Sequence, residues 1–156
     1  MESAFILAIL ASLTGKLDVP ERANACLAYV RIVVEEAYGM APFEFYTHFG
    51  VRWSSMARVG RTDFTWRAAD IEASMRELGF TVPYEQRRAG DLVFNYRSLR
   101  PYGHVGILIS PDLMAESIGT APRPHSLEVG RYLRVTPLHT LGVTSVVRLP
   151  PRDEIL

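Results

Sequence analysis

Apolar residues fill Phe5 to Leu13 almost without a break, and Gly15 with the Leu17-Asp18-Val19-Pro20 turn follows at once. The run is short of the ~18 residues a membrane span needs. It follows Glu2 rather than a basic segment, so it reads as a packed first helix and not as a targeting signal. A second helix starts near Asn24 or a few residues earlier. Cys26, Val30, Val33 and Ala37 fall on one stripe of it, Arg31 and Glu35 pair on another, and Gly39 supplies a left-handed stop. From Met40 to Thr65 the pattern breaks into Phe43, Phe45, Tyr46, Phe49 and Trp53 among Pro, Gly and Arg, which reads as a long loop with helical pieces. A third helix turns Ala68, Ile71, Met75 and Leu78 inward and closes at Gly79. After Pro83 and Gly90 the period shortens to two. Strands are expected at Asp91 to Tyr96, His104 to Ile109, Leu113 to Ile118, Tyr132 to Thr136 and Thr144 to Arg148. Helices first and an antiparallel sheet afterwards predict an α+β fold.

The length, 156 residues, suits one domain over 1–156 with a real core. Seventeen basic residues balance seventeen acidic ones without a basic cluster, which argues against nucleic acid as a partner. With 48% hydrophobic residues the chain has the composition of an ordinary soluble globule, and no segment is long enough to span a membrane. A single cysteine excludes an intramolecular disulfide and a thiolate-rich metal site, so packing has to hold the fold.

That cysteine sits where chemistry is easy. With Asn24 as N-cap, Cys26 falls in the first helical turn, where unpaired N–H groups and the helix dipole favour an anion. A thiolate nucleophile also needs a base, and the base needs a third group to orient it. A lone cysteine on an apolar stripe is otherwise a small buried hydrophobe. His104 opens the strand His104-Val105-Gly106-Ile107-Leu108-Ile109, whose alternation sets Val105, Ile107 and Ile109 on one face and His104, Gly106 and Leu108 on the other. A helix on that second face would bring Cys26 to the imidazole. Glu116 follows the turn Ser110-Pro111-Asp112. A three-residue loop pairs Gly106 with Glu116 and puts the carboxylate on the His104 face, whereas a two-residue loop puts Ser117 there instead. His48, His125 and His139 begin no such strand and read as surface or structural residues. Asp91 reads as a turn residue, and Tyr29 and Tyr102 as packing or rim residues.

In order, Asn24-Ala25-Cys26-Leu27-Ala28-Tyr29-Val30, Gly90-Asp91-Leu92-Val93-Phe94, His104-Val105-Gly106-Ile107 and Met114-Ala115-Glu116-Ser117 resemble the NlpC/P60 and CHAP branch of papain-like cysteine peptidases. The cysteine segment is nearer the CHAP form and the later segments nearer NlpC/P60. The resemblance covers roughly residues 5–118. It implies a papain-like fold with N-terminal helices packed on an antiparallel sheet, and hydrolysis of peptide or amide bonds in bacterial peptidoglycan without a cofactor or metal. It implies Cys26 as nucleophile, His104 as base and Glu116 as the orienting group. Ala25 stands where NlpC/P60 enzymes usually carry an aspartate, which opens the choice of substrate, and Trp53, Phe49 and Arg52 are candidates for a cleft rim or for packing. Two other readings stand beside it: an effector of the same fold acting on a protein substrate, and a non-catalytic adaptor domain of a phage tail or wall complex. The chain's start, without an evident signal peptide, fits a phage-borne enzyme or export to the wall by a non-classical route.

Overall fold

The computed structural model describes residues 2–22, 25–50, 67–97, 100–118, 126–130, 132–138 and 142–156, with backbone alone at 96, 97 and 100–102. Three helices precede the sheet: α1 (Glu2–Leu13), α2 (Cys26–Tyr38) and the short α3 (Glu44–Phe49). A fourth, α4 (Ala68–Glu77), leads into β1 (Thr81–Val82), β2 (Leu92–Arg97), β3 (Arg100–Ser110), β4 (Leu113–Ser117), β5 (Leu127–Glu128), β6 (Leu133–Pro137) and β7 (Ser145–Val147), and α5 (Arg152–Ile155) follows. The seven strands form one sheet in the order β1-β7-β2-β3-β4-β6-β5, antiparallel at every pairing. The class is α+β. No helix among the described residues is long and apolar enough to cross a membrane.

The segment Phe5 to Leu13 lies inside α1, which buries Phe5, Ala8, Ile9 and Ser12. Gly39 ends α2 in the left-handed region at φ 70°, and Gly79 does the same after α4 at φ 80°. Leu78 differs from the expectation: it is 47% exposed, because α4 ends at Glu77 and the chain turns so that Phe80 packs against the core in its place. The short β1 and β5, two residues each, escaped the sequence pattern because a dipeptide carries no periodicity.

One face of the sheet carries Leu92, Phe94, Val105, Ile107, Ala115, Leu133 and Val147 into the main core, where they meet Ile9 of α1, Val30 and Val33 of α2 and Ile71 of α4. Val93, Leu108, Met114 and Leu138 make a smaller cluster on the opposite face. The alternation expected along β3 is present, but the helix lies on the other side from the one expected: α2 packs on the Val105–Ile107 face and not on the His104 face.

Two ion pairs, one of them buried at both ends, brace this arrangement. Arg31 and Glu35, one turn apart on α2, are joined at 2.5 Å with both side chains under a tenth exposed. Glu35 also accepts the N–H of Phe45, and Arg31 lies 4.0 Å below the ring of Phe43, so the pair fixes the entry to α3. Phe43 itself is held at φ 68°, an uncommon conformation for an aromatic residue. Asp91 shapes the turn before β2 by accepting the N–H of Arg88, and its carboxylate also takes two hydrogen bonds from Arg148.

Candidate active site

Helix α2 begins at Cys26. Its N-cap is Ala25, with no side-chain cap bond, in place of the expected Asn24, which lies outside the described residues. The chemical consequence stands, because the first-turn N–H groups of a helix have no intrahelical acceptor. That of Leu27 donates to the Cys26 sulfur.

The way Cys26 reaches His104 follows from the ladder. Leu108 exchanges hydrogen bonds with Asp91 and Gly90 on the β2 side, so the even residues of β3 bond toward β2 and the odd ones toward β4. Pairs between β3 and β4 run from the hairpin to Ile107–Ala115 and no further. The N–H of Val105, aimed at β4, is thereby released, and it donates to the Cys26 sulfur. The N-terminus of α2 thus enters where two strands part, and from there the thiol meets a ring on the opposite face. Cys26 and His104 are hydrogen-bond partners.

The third residue arrives by a route the sequence did not reveal. The β3–β4 turn has two residues, Pro111 and Asp112, closed by Ser110 opposite Leu113. A regular ladder from that turn would have sent Glu116 into the core. A bulge between Leu108 and Ser110 shifts the register by one, so Leu108 faces Met114 and Ile107 faces Ala115. Carried on, this register sets Glu116 on the face of His104, Gly106 and Leu108, as the three-residue loop would have done. Nε2 of His104 lies 2.6 Å from Oε1 of Glu116. A carboxylate only accepts, so Nε2 carries the proton and Nδ1 is the nitrogen left for the thiol. Ser117, the alternative, belongs to the other face.

Burial is nearly complete: Glu116 is 0% and His104 6% exposed, and Cys26 is half-buried. Burial alone pushes the thiol up, but the hydrogen bond and charge of His104 and the N–H groups of Val105 and Leu27 outweigh it and hold Cys26 below its ordinary value. Burial pushes the imidazole down, and its hydrogen bonds and charge interactions with Cys26 and Glu116 overturn this and raise His104 to about 9. Both shifts favour a thiolate beside an imidazolium at neutral pH.

The remaining candidates separate. His48 sits on α3, 3.8 Å from Glu44, and His125 and His139 lie outside the described residues. Among the rim candidates, Phe49 is 1% exposed and packs in the core, while Arg52 and Trp53 lie outside the described residues. Tyr29 is buried with its hydroxyl 2.7 Å from Ser12, and the side chain of Tyr102 is outside the described set.

Neighbours that sequence reasoning did not find are Tyr46, Asn95 and Arg134. Tyr46 lies within electrostatic range of the Cys26 sulfur, and burial is the main cause of its raised pKa. Asn95 pairs with His104 across β2 and β3, and Arg134 with Glu116 across β4 and β6. Only a register shows these neighbours, since nothing in their local sequence marks them. No group of three His, Cys, Asp or Glu that could hold a metal ion occurs among the described residues.

No family model matches the chain, and no curated protein matches it.

Proposed function

We propose that this chain is a cysteine hydrolase on a papain-like α+β fold, with Cys26 as nucleophile, His104 as base and Glu116 as the residue that orients His104. The observation that carries the reading is the buried series from the Cys26 sulfur through His104 to Oε1 of Glu116, at the start of a helix. A buried carboxylate 2.6 Å from an imidazole that also bonds a thiol meets the three needs of acyl transfer: a nucleophile, a proton carrier and a group that fixes the carrier's tautomer.

In this mechanism Nδ1 of His104 takes the thiol proton first, and the resulting Cys26 thiolate attacks the scissile carbonyl carbon. The imidazolium then gives that proton to the departing amine, leaving a thioester. Water, deprotonated by the same nitrogen, attacks the thioester and releases the acid, and the thiolate is restored. The N–H of Cys26, at the helix start, is a donor for the oxyanion.

The resemblance to NlpC/P60 and CHAP enzymes directs the choice of substrate to the peptide of bacterial peptidoglycan, cut as an endopeptidase or amidase. Release of new amino groups from purified peptidoglycan by the wild-type chain, abolished in a folded Cys26→Ala variant, is the expected result. Intact wall in the presence of folded wild-type chain overturns the substrate, and release that survives Cys26→Ala overturns the nucleophile.

A further inference from the structure

Among the described residues Phe43 is the one non-glycine residue in the left-handed region, at φ 68°, and it is 63% exposed. A bulky side chain is disfavoured there, and so little burial does not offset the cost. The surroundings hold it in place all the same. The buried carboxylate of Glu35 accepts the N–H groups of both Phe43 and Phe45, and the buried guanidinium of Arg31 lies against one face of the Phe43 ring, 4.0 Å from its centre. The ring also stacks with that of Tyr46, with centroids 6.5 Å apart and planes 25° from parallel. At that separation the two rings are offset and pave one surface instead of covering each other. Tyr46 is half-buried and lies within electrostatic range of the Cys26 sulfur, so the pavement leads from the nucleophile out to solvent. Arg31 and Glu35 neutralise each other beneath it, and the surface presented is flat and apolar.

A flat aromatic surface beside a nucleophile selects what lies next to the scissile bond. In peptidoglycan the peptide offers it little, because its side chains are methyl groups, carboxylates and amines. The glycan offers a match, since one face of a pyranose ring is a layer of C–H bonds, which suit the negative face of an aromatic ring. We propose that Phe43 and Tyr46 form a sugar-binding subsite of this active site: they stack on the sugar that carries the peptide and so direct Cys26 to the amide joining peptide to glycan. The proposal rests on reading Cys26 as a nucleophile that acts on peptidoglycan. In the step it implies, the Cys26 sulfur bonds to the carbonyl carbon of the sugar's lactyl arm and the C–N bond to the first alanine breaks. That nitrogen leaves as an amine with the proton from His104, and water then releases the lactyl carboxylate from the thioester.

The test is binding to the full chain carrying Cys26→Ala, which prevents turnover, with folding checked by circular dichroism. The probes, titrated calorimetrically, are a muramoyl tripeptide and the same tripeptide with an N-acetyl group in place of the sugar. The muramoyl probe is expected to bind about tenfold more tightly. Adding Phe43→Gly removes the ring while glycine keeps the left-handed backbone, and is expected to bring the two affinities together; Phe43→Tyr is expected to keep them apart. Should Phe43→Gly not fold, Phe43→Asn, which also tolerates that conformation, takes its place. Equal affinities before the ring is removed overturn the subsite, and so does a sugar preference that survives its removal. Binding of an N-acetylphenylalanyl peptide as tight as that of the muramoyl probe, lost with the ring, overturns the sugar and assigns the surface to aromatic side chains of a protein substrate. Binding of neither wall probe overturns the wall substrate and the subsite with it, a result distinct from equal binding, which removes the subsite alone.

Discussion

Cys26 is held between opposing influences, since burial disfavours its charge while a ring and two backbone N–H groups favour it. The pH dependence follows with a definite sign. The reactive ion pair needs the thiol deprotonated and the imidazole protonated, so kcat/KM is expected to rise through an acid limb below the ordinary thiol value and to fall as His104 loses its proton near pH 9. Glu116→Gln removes one of the two groups that raise His104, so the alkaline limb is expected to move down and the active range to narrow from that side. The maximum rate is expected to fall on the order of 10²-fold with it, because the ring loses its fixed tautomer. Initial rates across pH for the two proteins check both points. A profile unchanged by Glu116→Gln would return that carboxylate to a purely structural role.

At the scale of elements, the β3–β4 hairpin decides which residues can react. Its bulge keeps Glu116 off the face that α2 covers, where a carboxylate would meet Val105 and Ile107. Gly106, in the same stretch, has no room for a side chain: a Cβ there would lie 2.3 Å from the Met114 sulfur and 2.9 Å from the carbonyl oxygen of Ala115. Met114 can move, but that backbone oxygen cannot without disturbing the register. Gly106→Ala is expected to destabilise the chain by about 1–3 kcal/mol and to lower activity as well, since the displaced strand carries Glu116. Chemical denaturation with parallel activity assays measures both. A stability loss with full activity would show that the bulge alone secures the register.

At the scale of the whole molecule, the buried Arg31–Glu35 pair ties α2 to the entry of α3. Glu35→Ala strands a buried guanidinium and frees the N–H of Phe45, and is expected to cost about 3–5 kcal/mol in urea unfolding. A loss under 1 kcal/mol would mean that solvent reaches the pair. How much of this plan the sequence showed varies with the distance over which each feature is set. Stripes such as Val30 and Val33 on α2, the glycine stops at 39 and 79, and the alternation of Val105 and Ile107 against His104 are local, because helix and strand periods are written in the residues themselves. They determine the α+β class, the order of elements and the three side chains worth watching. The tertiary structure decided that α2 lies on the face away from His104, that its tip enters where β3 and β4 part, and that a bulge turns Glu116 to the ring. It also decided that Arg134 stands opposite Glu116. Each of these depends on register and on which surfaces meet, quantities fixed by packing between distant segments and invisible in any one of them.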